Sequence, residues 1–221
     1  MLFVALSSLQ GRPMGAAFRE LRSLGVEGVQ LTPGNQPTAG FSDEVSDARL
    51  PTRTHHGFTW RAFRTREVWS AHGDCLVDSD SVHAPLANTP ASQHYLERLR
   101  PGLVLETMYP SYALGDGSSL ERAMDLGVPL AVDVSHLFIQ QAQGVLGDAT
   151  LRRLFDYQHV AEVHVSANDG RRDLHAPLTP KTFGLEWAHE RERAGTPVVL
   201  ECYFHRLPRD QRLRQLELAR A

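Results

Sequence analysis

The chain is poor in cysteine. Cys75 and Cys202 are the only two in 221 residues, far apart and in no C-x-x-C spacing, which argues against a disulfide framework and against a thiolate zinc site. Long apolar runs are also missing. No stretch approaches the roughly 18 residues of a membrane span, and the opening MLFVALSSLQGRP has a short apolar run with no basic segment before it. Nor is there an excess of charge of one sign: a formal net charge of -3 and a pI near 6.4 give no global basic field of the kind that marks a nucleic-acid binder. These absences lead us to expect a cytoplasmic protein in a reducing compartment, with no membrane partner.

What is present is histidine. Eleven occur, about one residue in twenty and roughly double ordinary usage. Their positions follow a rhythm of short apolar segments with strand composition: 2–6, 28–32, 52–56, 80–84, 103–107, 130–134, 161–165 and 198–202. Helix-like segments lie between several of them, at 14–25, 92–102, 118–127, 149–158 and 183–195, most ending at a glycine suited to a helix C-terminus. Strand, helix and strand at this spacing predict parallel strands covered by helices, and eight such strands close into a compact (β/α)8 TIM barrel. A doubly wound open sheet is the alternative, but SSLQGRPMG after the first strand does not fit the G-x-G-x-x-G phosphate loop. Segments 33–51 and 57–79 read as irregular. No repeat or linker divides the chain, so a single α/β domain over 1–221 is predicted.

The third to eighth predicted strands each end in a residue able to bind a metal: His55 or His56, His83, Glu106, Asp133, His164 and Glu201. A barrel brings all parallel strand ends to one face, so residues spread along most of the chain would converge there. His136 follows Asp133 in DVSH, and the loop after His164 offers Asp173 and His175 in a D-x-H. Imidazoles and carboxylates without thiolates suit Zn, Mn, Mg or Co at sites that keep open positions. Neighbouring residues on a strand point to opposite faces, so only one of His55 and His56 is expected to enter the mouth. His72, His94, His159, His189 and His205 have no such placement. Met108, Tyr109, Phe138 and Tyr203 stand near the expected mouth as possible substrate contacts.

The ordered string Glu106, Asp133-x-x-His136, His164, Asp173-x-His175, Glu201 resembles the xylose isomerase-like TIM barrel superfamily. That superfamily holds sugar isomerases and epimerases as well as endonuclease IV. The isomerase branch implies one ion held by Glu106, Asp133, His164 and Glu201. Glu106 and Glu201 would serve as acid and base on a small sugar, sugar phosphate or keto-polyol through an enediolate. His136 and an arginine, here Arg171 or Arg172, would hold substrate oxygens; Lys181 is a further candidate for substrate binding. The endonuclease IV branch implies three zinc ions on His55 or His56, His83, Glu106, Asp133, His136, His164, Asp173, His175 and Glu201, and phosphodiester cleavage at abasic DNA. LETMYP, DVSHL and the lack of a G-x-G after the D-x-H depart from the nuclease pattern, so the isomerase reading leads. A non-catalytic relic of the site is the third reading. His136 distinguishes the first two, being a substrate-orienting donor with one ion and a ligand with three. Oligomeric state is not legible.

Overall fold

The structure, a computed structural model, describes residues 1–65 and 67–220. All eight strand segments form: β1 (Leu2–Ala5), β2 (Gly28–Leu31), β3 (Thr52–Thr54), β4 (Ser81–His83), β5 (Val104–Glu106), β6 (Leu130–Asp133), β7 (Val160–Val165) and β8 (Val198–Leu200). They pair in parallel in the order β3-β2-β1-β8-β7-β6-β5-β4. The two end strands meet at a His55–Ser81 bridge, where the His56 N–H donates to the Ser81 carbonyl at 2.9 Å and the Asp80 N–H to the Thr54 carbonyl at 3.0 Å. That seam makes the sheet a nearly closed barrel. Among the described residues no helix is long and apolar enough to cross a membrane.

The helices cover the outside. Helix α1 (Met14–Ser23) buries Met14, Ala17, Phe18 and Leu21, the i, i+3, i+4, i+7 spacing of one helical face. Helices α4 (Gly117–Asp125), α6 (Asp148–Phe155) and α7 (Leu185–Arg193) fall where expected. Three helices were not predicted: α2 (Phe41–Ala48), α5 (Val134–Ala142) and α8 (Arg209–Ala219). The first corrects the irregular reading of 33–51. Its apolar signal is only Phe41 and Val45, one turn apart, and Gly40, at φ 72°, starts it. The predicted helix at 92–102 is also shorter than expected. It forms as α3 (Pro90–His94) followed by a 3-10 turn over Tyr95–Glu97, and Pro101 disfavours a helical residue before it.

Inside the barrel, side chains alternate along each strand and build layers. Phe3, Ala5 and Val199 form a small apolar cluster apart from the main core. Gly28 accommodates it, because a Cβ there would lie 2.5 Å from the Phe3 ring. Next comes a polar layer, in which Gln30 and Ser81 donate across the barrel to Glu162 Oε1 at 2.9 and 2.8 Å, and Arg53 donates to Glu162 Oε2. One step further along the strands stand His55, His83, Glu106, Asp133, His164 and Glu201.

Candidate metal centre

Strand register sets these groups side by side. His83 pairs with Glu106 across β4–β5, and Asp133 with His164 across β6–β7. Glu106 is central: its Oε2 lies 3.0 Å from His55 Nε2 and 3.3 Å from His83 Nε2, and its Oε1 lies 3.7 Å from His164 Nδ1. His164 Nδ1 is also 3.4 Å from Glu201 Oε1. Asp133 caps α5, its Oδ1 accepting the N–H groups of Ser135 at 2.6 Å and His136 at 3.0 Å. The cap turns the chain so that His136 folds back over the mouth. There its Nε2 stands 3.5 Å from Asp173 Oδ2, which is 3.0 Å from His175 Nε2.

Proton positions follow from the partners. Ser81 donates its one hydroxyl proton to Glu162, so its oxygen accepts from His55 Nδ1 at 2.9 Å and His55 Nε2 carries a lone pair. His164 Nε2 donates to Glu162 Oε1 at 2.6 Å, which leaves Nδ1 as the lone-pair nitrogen. His136 Nδ1 donates to the Thr107 carbonyl at 2.9 Å, which leaves Nε2. In the neutral form, each of these imidazoles therefore turns a lone pair toward carboxylate oxygens that also only accept. Glu106 Oε2, Asp133 Oδ2, His136 Nε2, His164 Nδ1, Asp173 Oδ1 and His175 Nδ1 are buried with no hydrogen-bond partner among the described residues. Facing acceptors of this kind repel unless cations lie between them. The residues fit divalent ions.

Four such groups can be traced: His55, His83 and Glu106; His55, Glu162 and His164; Glu106, Asp133 and His136; and Asp133, His164 and Glu201, with Asp173 and His175 extending the cluster beyond His136. Each of the nine residues predicted from the sequence is brought to the cluster.

Protons compete for the same positions. Burial lowers imidazole basicity, but the carboxylates outweigh it, raising His136 and His164 well above the ordinary histidine value and His175 to about 9. Burial, reinforced by Glu106 and Asp133, pushes Glu201 up to about 7. Bound ions must displace those protons, so metal affinity falls as pH falls. One displaced proton gives about tenfold weaker binding per pH unit, or about a hundredfold between about pH 8 and about pH 6. Calorimetric metal titrations at the two pH values check this, and pH-independent binding would contradict the protonation scheme.

The expectation that only one of His55 and His56 faces the mouth is corrected. The strand has ended by His56, whose φ of 48° turns its ring to stack on His83 at 3.7 Å, so both histidines line the cleft. His55 approaches Glu106, and His56 is held neutral, its pKa lowered to about 2 by burial and by His83 and His55. The other substrate candidates are dispersed. Met108 and Tyr109 line the cleft of about 480 Å³. Exposed Arg171 and Arg172 line an adjoining groove with Tyr203, on a turn whose N–H groups donate to Asp169. Exposed Lys181 lines neither cavity, and Phe138 stacks on Phe183 at 5.6 Å instead.

Sequence reasoning missed Glu162, Gln30 and Arg53, which hold the cluster from below, and Phe63, Arg64 and Thr65 of the loop between β3 and β4, which form part of the cleft wall. The available signal for Glu162 was its place two residues before His164, on the same face of β7. No family model and no curated protein matches the chain. The resemblance to the xylose isomerase-like superfamily therefore rests on the motif string alone.

Proposed function

We propose that this chain is a divalent-metal enzyme with a multinuclear centre that hydrolyses phosphoesters. The observation that carries the reading is the orientation of His136. Its Nδ1 proton goes to the Thr107 carbonyl, which leaves Nε2, 3.5 Å from Asp173 Oδ2, as a lone-pair nitrogen suited to ligation and not to donation to substrate oxygens. His136 also groups with Glu106 and Asp133, its Nδ1 lying 3.3 Å from Glu106 Oε1 and 3.5 Å from Asp133 Oδ2, so it links Asp173 and His175 to the ligand groups around Glu106. Ions held together in such a pocket activate water and offset the charge on a phosphoryl group.

The chain's own residues do the rest. Glu106 serves both sides of the centre, and Glu162 fixes the tautomer of His164. Tyr109 packs edge-on against His136 at 5.0 Å, and burial pushes its hydroxyl up to about 12, which keeps it a hydrogen-bond donor near neutral pH. Arg64 in the cleft wall and Arg171 and Arg172 in the adjoining groove supply positive charge for an anionic substrate. Hydrolysis adds water to phosphorus, breaks the ester P–O bond with its electron pair going to oxygen, and returns a proton to that leaving oxygen.

A second reading, sugar isomerisation, is favoured by Glu106 and Glu201 facing one cleft, with Glu201 near 7 and so able to exchange a proton at working pH. Elemental analysis and turnover separate the two. Two or three ions per chain and chelator-sensitive cleavage of bis(4-nitrophenyl) phosphate are expected. One ion, with deuterium exchange into a ketose from heavy water, would replace hydrolysis by isomerisation. Bound metal with no turnover on either panel would mark a relic site.

A further inference from the structure

Beside the metal cleft opens a second cavity of about 450 Å³, and the two share His56 and Thr65. Its walls are mainly apolar, built from Trp69, Ala84, Pro85, Leu86, Ala91 and Tyr112. Three of the polar side chains around it, Trp69, Ser70 and Thr89, are engaged elsewhere. Ser70 Oγ donates to Asp74 at 3.0 Å and accepts the N–H groups of His72 and Asp74. Thr89 caps α3 and donates to the Leu86 carbonyl at 2.7 Å. Trp69 Nε1 donates to the His83 carbonyl at 2.9 Å, which leaves its ring carbons as contact surface. Exposed Glu67 adds negative charge at the rim. His56 stands between the two cavities, in left-handed backbone that strains a non-glycine residue and stacked on His83 of the metal cluster.

We infer that this annex holds an apolar, ring-sized group of the same substrate whose anionic end enters the metal cleft. The anionic end rests on the hydrolase reading; the annex itself rests on its own walls. Continuity through His56 and Thr65 makes one ligand across both cavities the economical occupant. The apolar walls and the Glu67 carboxylate at the rim disfavour a second anionic group there.

Calorimetry on the metal-loaded protein with phenyl phosphate and methyl phosphate tests the inference. Burying the ring makes phenyl phosphate bind about tenfold or more tightly than methyl phosphate. Leu86→Glu and Pro90→Glu, both at exposed rim positions, bring that ratio to about one. Equal affinities in the parent protein, or a ratio unchanged in both variants, would overturn the inference. Phenol on the metal-free protein, read by tryptophan fluorescence, gives an arm independent of metal and turnover. Saturable binding weakened by Leu86→Glu supports the annex even if no phosphoester is hydrolysed, an outcome that removes the hydrolase reading alone. If neither ester binds, absence of phenol binding overturns the annex as well.

Discussion

Glu106→Gln is expected to lose at least one bound ion per chain and to lower turnover by more than about a hundredfold. Residues that merely support ligands already cost up to that much when changed, and Glu106 is itself placed as a shared ligand. Both of its oxygens face nitrogen atoms of the cluster, Oε2 toward His55 and His83 and Oε1 toward His164. Glutamine keeps the shape but replaces one acceptor oxygen by an NH2 group that cannot ligate, and it removes a negative charge. Stability gives a second readout. Metal at a thousand times its dissociation constant stabilises a folded protein by about 4 kcal/mol, seen as a rise in Tm. In Glu106→Gln that rise shrinks, and the metal-free variant melts below the metal-free parent, because burial disfavours the Glu106 carboxylate but His83, His164 and His136 outweigh it and hold its pKa well below the usual range, a stabilisation that glutamine loses. Elemental analysis and paired melts with and without chelator decide the matter. Full metal content with an undiminished Tm rise would sink the shared-ligand role.

Glu162→Ala is expected to act from beneath the cluster, on stability and metal affinity together. The carboxylate is fully buried and gathers Gln30, Ser81 and His164 on one oxygen and Arg53 on the other. Burial by itself would raise its pKa, but the His164 hydrogen bond and the charges of His164 and Arg53 outweigh it and hold the group down at about 2. Removing one partner of a buried pair costs about 3–5 kcal/mol, and the lower end applies because the Arg53 side chain is 23% exposed and regains some water. His164 also loses the acceptor that fixes its tautomer, which weakens metal binding by about ten- to a hundredfold. Glu162→Gln keeps the volume and one acceptor, so it retains more stability than the alanine variant while still weakening metal binding.

The same group sets an acid response. Its folded pKa lies below the ordinary 4.5, so its contribution is complete above that value and is lost as pH falls from 4.5 toward about 2. Urea unfolding of metal-free protein at about pH 7 and about pH 3.5 should show a smaller acid loss in Glu162→Gln than in the parent. Equal losses would place the acid sensitivity elsewhere.

Several candidate ligands were legible because a parallel barrel converts strand ends into neighbours. Reading His83, Glu106, Asp133, His164 and Glu201 at segment ends required only the apolar runs before them. Helix α5 was hidden because its N-cap, Asp133, is also a site residue, so strand, cap and helix follow one another without the usual loop. Helix α8 carries Leu216 and Ala219 inward in an otherwise charged segment, too thin an apolar stripe to stand out. His56 escaped because strand alternation applies only while the strand lasts, and a left-handed residue after it reverses the ring. Glu162 escaped for another reason: its partners Gln30, Arg53 and Ser81 lie on β2, β3 and β4, far away in sequence and across the barrel.

By itself the sequence determined the eight parallel strands, because β-rich apolar runs of strand length separated by helical segments leave few other foldings. It also determined the supply of ligands at their ends. Only the tertiary structure decided which nitrogen of His55, His136 and His164 faces a hydrogen-bond acceptor, since that depends on Ser81, Thr107 and Glu162 arriving from other strands or loops. With it came the turn of His56, the annex beyond it and the placement of His136 Nε2 beside Asp173, all fixed by contacts between segments that share no local pattern.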